Sequence, residues 1–375
     1  MASANKLIPV AKPFISSKEE AYVVDAVRSG WVSSSGAYID KFEKEFAAYC
    51  GVEYAVAVNN GTCGLHLALA AFGIGPGDEV IVPDITFIAS ANTVAYTGAK
   101  PVLVDVEPDT MCLGADAVEQ ALTSRTRAIM PVHLYGHPAD MDPLLDLARK
   151  RNLIVIEDAA EAHGAEYKRR RVGGIGHCGV FSFFGNKIIT TGEGGMLTTN
   201  DPEIDRKARL LRSHGMDPTR KYWHNERGFN YRMTNIQAAL GVAQLEQIDA
   251  FTLRREQILA WYQKSVPTSD AIRLNYQANW AKNALWMICL EVDWLNEATR
   301  SQFMQALRER GIDSRPYFYP VSAMGIYPAQ SNPVAKRKSA IGINLPTYYE
   351  LGEDDVEMIG GIVADELQAL KNRDT

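Results

Sequence analysis

From residue 55 to 200 short apolar runs alternate with helix-length segments. "YAVAVNNGT" reads as a strand running into a turn, and "CGLHLALAAFGIG" as a helix closed by glycines. "DEVIVP" is a strand, "TFIASANTVAYTG" a helix ending at Gly98, and "KPVLVDV" another strand. "RAIMPVHLYG", "LIVIEDAA" and "GVFSFFG" continue the series, separated by helical stretches such as "MDPLLDLARKRN". Runs rich in Val and Ile that alternate with helices predict an α/β fold, its mostly parallel sheet covered on both faces. "GGMLTTND" adds a short strand, and "PEIDRKARLLRSHG" a helix with a glycine at its end.

A single long helical stretch, "NIQAALGVAQLEQIDAFTLRREQILAWYQKSV", is then expected to run to about Pro267. It would bridge a large sheet domain, residues 12–250 with the N-terminal segment, and a smaller C-terminal α/β domain, residues 251–375. The smaller part holds strand-like "ALWMICLEV", the helix "TRSQFMQALRERG", the Pro/Tyr-rich "SRPYFYPVSAMGIYP" and a closing helix "EDDVEMIGGIVADELQALKN".

Composition narrows the function classes. Hydrophobic residues make up 46% of 375 and charged residues 22%, enough for a large core. A net charge of −6 argues against a general nucleic-acid binder. The one basic block, "YKRRRVGG", reads as a solvated hairpin turn. "MASANKLIPVAKPF" has no apolar stretch long enough for a leader's core, and no run approaches the roughly 20 apolar residues of a membrane helix. Five scattered cysteines without a CxxC pair point to reduced thiols in a cytoplasmic protein. His133 and His137 have i,i+4 spacing, but Gly136 and Pro138 break that helix, so no metal is expected.

In open α/β sheets ligands sit at the carboxyl ends of the strands. That rule collects four loops into one candidate site: Asn59–Cys63, Glu157–Glu161, Ser182–Lys187 and the segment after Asp84. Gly61 and Thr62 open a helix, where free N–H groups and the dipole suit a phosphate; they equally suit an ordinary turn and cap. Ser182 could add a hydroxyl. Alternation along the strand turns Glu157 and Asp158 to opposite faces, so that Asp158 could hold a protonated pyridine nitrogen. Lys187, at the end of an apolar strand, could form an imine with an aldehyde once burial makes its amine neutral. Pyridoxal phosphate requires such a lysine and such an acid.

The ordered motifs "NNGTCGLHLAL", "VPDITFIASANTVAYTGAKPVLVDV", "IEDAAEAHGA", "FSFFGNKIITTGEGGM" and "GFNYRMTNIQAALG" resemble the DegT-type nucleotide-sugar aminotransferases. The resemblance runs from "AKPFISSKEEAYV" to "INLPT". It implies a fold type I pyridoxal 5′-phosphate enzyme with Lys187 as the catalytic Schiff-base lysine and Asp158 as partner of the ring nitrogen. It places Glu161 near the ring hydroxyl, Phe87 against the ring, and Gly61, Thr62 and Ser182 at the phosphate. Asn230 would reach the phosphate from a neighbouring subunit, with Arg232 close by, giving a homodimer with composite sites.

The implied reaction moves an amino group from L-glutamate to C4 of a nucleotide-linked 4-keto-6-deoxy sugar. GDP-4-keto-6-deoxymannose is favoured over a dTDP- or UDP-linked one. Relatives that remove the sugar's C3 hydroxyl carry histidine at the lysine position, so Lys187 speaks for transamination. It also speaks against a non-catalytic, ligand-sensing regulator. Trp31, Arg232, Arg315, Tyr317 and Ser322 are candidate sugar-nucleotide contacts; Ser322 stands where related sequences usually have histidine. Trp31, Tyr222 and Trp223 equally suit core or dimer contacts, and Glu193 has no assigned role.

Overall fold

The structure is a computed structural model that describes residues 7–373; residues 1–6, part of the segment read for a leader, lie outside it. Its centre is a seven-stranded sheet. In chain order the strands are β1 (Tyr54–Val58), β2 (Glu79–Pro83), β3 (Lys100–Val104), β4 (Thr126–Ile129), β5 (Ile154–Asp158), β6 (Cys178–Ser182) and β7 (Gly195–Thr199). They lie in the order β1-β7-β6-β5-β4-β2-β3. Neighbours from β6 across to β3 are parallel, and only β7 runs against its neighbours β1 and β6. The carboxyl ends of β1, β5 and β6 therefore share one edge, where Val58 and Ser182 both face Gly195 of β7.

Both faces of the sheet are covered, as the apolar runs predict. Phe181 packs with Phe42, Phe46 and Phe183 on one side; Val180 packs with Val56, Val58, Leu65 and Leu197 on the other. Each such buried side chain contributes about 1.5–3 kcal/mol. Helix α1 (Gly61–Ala71) follows β1, and α2 (Ala89–Tyr96) follows β2. A four-stranded antiparallel sheet forms the C-terminal part, around Ile288–Val292 and Gly342–Leu345, with its own core of Ile258, Leu290, Phe303 and Ile359.

Several expected elements differ in extent. The long helical stretch is two helices, α3 (Asn235–Leu245) and α4 (Ile248–Ser265). Gln247 leaves helical geometry at φ −117°, and its side chain bonds Glu19 of the N-terminal helix and the Ala243 carbonyl. No Gly or Pro marks that break, so the apolar period runs through it. "RAIMPVHLYG" is strand only over Thr126–Ile129 and ends in a 3-10 turn, with Tyr135 at φ 53°. Helix α2 starts at Ala89, leaving Phe87 in the turn before it. The basic block does form a hairpin, Glu166–Tyr167 pairing with Arg170–Arg171. Among the described residues no helix is long and apolar enough to cross a membrane, and no group of three or more His, Cys, Asp or Glu side chains is placed to hold a metal ion.

Candidate active site

The four loops meet at the shared sheet edge. At one corner Asn60 caps α1, its side chain accepting from Cys63 N at 2.8 Å. Among the described residues the N–H groups of Gly61 and Thr62 have no hydrogen-bond acceptor. Gly61 lies so close to β6 that a Cβ there would stand 2.9 Å from Ser182 Cβ. Only glycine lets the helix start lie against that serine. Gly61→Ala should therefore strain the corner by about 1–3 kcal/mol. Strain of that size would weaken binding of a phosphorylated cofactor about fivefold to about 150-fold. Fluorescence titration of the cofactor-free protein measures it, and unchanged affinity would remove this corner from the account.

At the end of β5 alternation separates two acids. Glu157 turns into the protein, where it accepts from Gly173, Ile175 and Gly176 N–H groups and pairs with His133 Nε2 at 3.0 Å. Those partners hold its carboxyl below the usual range against the effect of burial, so Glu157 is structural. Asp158 turns towards the site. Its Oδ2 accepts from Ser90 Oγ at 2.7 Å and its Oδ1 from Ala160 N at 3.2 Å. Burial raises its pKa above the ordinary value. Ser90 is a site residue that sequence reading missed, since nothing in "ASAN" separates it from core.

Lys187 follows β6 in a loop closed on itself: Phe183 N donates to Gly194 O, and Thr191 N to Phe183 O. Its side chain is nearly buried at 9% exposure. The amine lies 3.4 Å from Glu161 Oε1 and 3.7 Å from the Trp286 ring centroid. Glu161 Oε2 accepts from Tyr135 N at 2.9 Å. Burial pushes Glu161 up to about 7 and Lys187 below its ordinary value. Both shifts favour the neutral forms, and a neutral amine is what carbonyl attack requires. Glu193 is exposed; its carbonyl accepts from Thr191 Oγ1 and Gln237 Nε2, so its backbone holds the loop.

The remaining candidates divide. Phe87 is 55% exposed, unlike a core aromatic, with its ring 6.0 Å from that of Phe318. Arg232 pairs by a β-bridge with Val58, three residues before the start of α1. Its Nε, like Oδ1 of Asn59, the residue after Val58, is buried without a hydrogen-bond partner. Asn230 is exposed on the same strand-like segment, bridged to Ser213. Trp31, Tyr222 and Trp223 are exposed, which removes the core reading for all three. Arg315 is exposed at a sheet position opposite Asn344.

Tyr317 and Ser322, both expected as candidate sugar-nucleotide contacts, are buried. Tyr317 is 1% exposed and packs its ring 5.0 Å from Tyr135. Ser322 is buried, its N–H and hydroxyl both donating to Asp84 at 2.8 and 2.6 Å. With its hydroxyl occupied, Ser322 ties the C-terminal loop to the end of β2.

The arrangement fits pyridoxal phosphate. A helix start at this edge offers free N–H groups, Asp158 is a buried carboxylate with spare acceptor capacity, and Lys187 is a largely desolvated lysine. Residues 13–364 match the DegT/DnrJ/EryC1/StrS aminotransferase family. The chain is 51% identical to GDP-perosamine synthase of Caulobacter vibrioides, over 94% of this chain and 96% of that one. It is 45% identical to GDP-perosamine synthase of Escherichia coli O157:H7, over 94% and 96%. Among solved structures it resembles the PLP form of a candidate sugar aminotransferase from Streptococcus pneumoniae. There the TM-score is 0.92 and the identity 28%, covering 97% of this chain and 99% of that one.

Proposed function

The chain belongs to the DegT/DnrJ/EryC1/StrS aminotransferase family, with pyridoxal 5′-phosphate as its cofactor, and we propose that it aminates GDP-4-keto-6-deoxy-D-mannose at C4 to give GDP-perosamine, with L-glutamate as donor. The observation that carries the substrate is the 51% identity to a GDP-perosamine synthase along nearly the whole of both chains.

When bound, the cofactor supplies an aldehyde that accepts an amino group and a ring that withdraws electrons. The residues hold and serve it. Gly61, Thr62 and Ser182 would bind its phosphate, joined by Asn230 of a second copy of this chain. Asp158, ionised against a ring N–H, would keep the ring protonated; Ser90 orients that carboxylate. Phe87 would cover the ring and Glu161 would face its hydroxyl. Lys187 would attach the cofactor and, when free, its amine would take the proton from the carbon that bears the donor's amino group. Glutamate leaves as 2-oxoglutarate before the sugar binds, which predicts ping-pong kinetics.

In this reading residues 12–250 bind the cofactor, residues 251–375 form the smaller domain, and the enzyme is a cytoplasmic homodimer. The exposed Asn230, Trp31, Tyr222 and Trp223 suit a face that meets a second copy. Trp31, Arg232 and Arg315 remain candidates for the sugar nucleotide. The deciding experiment compares GDP-, dTDP- and UDP-4-keto-6-deoxy sugars with glutamate. Highest kcat/KM on the GDP sugar is expected, and a preference for either of the others would replace the substrate assignment.

A further inference from the structure

We propose that Trp286 is a positioning residue for Lys187, gripping the lysine at two points and fixing where its amine rests. The indole Nε1–H donates to the carbonyl of Asn186, the residue before the lysine, at 2.8 Å. The face of the same ring meets the amine, 3.7 Å from Nζ to the centroid. These contacts close a cycle. Trp286 stacks on Tyr135 at 6.1 Å and 17°; Tyr135 N donates to Glu161 Oε2; Glu161 Oε1 accepts from Lys187 Nζ. An amine held only by a carboxylate can swing about it. Between a carboxylate and a ring face it has one resting place.

The backbone around the indole is built to keep it there. Trp286 is 5% exposed. Buried Arg255 donates from Nη1 to the carbonyls of Leu285 and Trp286, at 3.2 and 2.7 Å. Leu285 and Tyr135 take left-handed φ values of 54° and 53°, which non-glycine residues keep only where their surroundings impose them. Between them Gly136 comes so close that a Cβ would stand 2.8 Å from Leu285 N. The turn carrying Tyr135 and the segment carrying Trp286 are thus pressed together, although about 150 residues of chain separate them.

The ring face also bears on the charge of Lys187. Burial favours the neutral amine, and Glu161 and Asp158 favour the ammonium. The other charged or titratable groups near the lysine are His163, and Lys12, Arg255 and Tyr349, which together with Lys187 line a cavity of about 20 Å³. The indole face adds attraction for the ammonium. Removing it should therefore lower the pKa of Lys187 further and leave more neutral amine at a given pH. The catalytic meaning of this grip rests on the aminotransferase reading, but the grip itself does not.

The test uses the full chain without cofactor. Acylation of Lys187 by acetic anhydride is followed by peptide mass spectrometry as a function of pH. Trp286→Leu, which removes both face and N–H, should shift the profile to lower pH, so that Lys187 reacts about three- to tenfold faster below the midpoint. Trp286→Phe keeps a face and should recover most of that change. Tetrafluorotryptophan at 286 keeps the shape and the N–H while removing the negative potential of the face; it should shift the profile in the same direction as leucine, and it serves even if leucine prevents folding. Superimposed profiles for the fluorinated and native proteins would overturn the proposal, as would equal shifts for Leu and Phe. Because no cofactor is present, either result is separable from a failure of the aminotransferase assignment.

Discussion

Lys187→Ala is expected to reduce amination by at least about 10²–10⁴-fold, the usual contribution of a positioned acid–base group, while leaving the fold intact. The loss should exceed that of any other single substitution in the site, because in the proposed mechanism one side chain both attaches the cofactor and moves the proton. The fold should survive for a physical reason. Lys187 is nearly buried beside Glu161, and burial already pushes that carboxyl up to about 7. With the amine gone, Glu161 takes up a proton and no charge is stranded in the interior. Circular dichroism should therefore match the native protein while glutamate-dependent turnover disappears. The variant should also lose the visible absorbance of a lysine-linked cofactor. Full activity in Lys187→Ala would remove the mechanism.

The second large effect belongs to Asp158→Asn, expected to lower kcat about 10²–10³-fold, as loss of one preorganised electrostatic partner does. The substitution keeps the shape. Asparagine can still accept from Ser90 Oγ and Ala160 N through its carbonyl oxygen. It cannot carry the negative charge that keeps a ring nitrogen protonated. Without that proton the ring withdraws electrons poorly, and removal of a proton from the bound amino acid slows. In the cofactor-free protein, burial raises the pKa of Asp158. A cation brought beside the carboxylate reverses that preference, so cofactor affinity should fall along with the rate. Single-turnover reaction with glutamate isolates the step. Equal rates for the two proteins would take Asp158 out of this role.

How much of this was legible in the sequence can be followed residue by residue. Strand ends were legible because β1, β2, β3, β5 and β6 are short apolar runs between glycines and helices, and the carboxyl-end rule then gathered their loops. Alternation separated Glu157 from Asp158, and the structure sets one among backbone N–H groups and the other towards the site. The break at Gln247 was not legible, because it is set by a tertiary hydrogen bond to Glu19, 228 positions away in sequence. The partner of Ser322 was not legible for a similar reason: the hydroxyl faces Asp84 across 238 positions, and no local pattern announces a partner so distant. Trp286 reads as one apolar letter in "ALWMICLEV", yet its ring lies on the lysine about 100 residues upstream. The family resemblance supplied what periodicity could not, including the part expected of Asn230 in a neighbouring subunit.

The central claim is that this site binds pyridoxal phosphate through Lys187. Reducing the loaded protein with borohydride fixes the cofactor covalently, and peptide mass spectrometry then locates it. The account predicts the added mass on the peptide containing "FFGNKIITTGEGG", at Lys187, and its absence from the Lys187→Ala protein. Fixation on a different lysine of the native chain would contradict it.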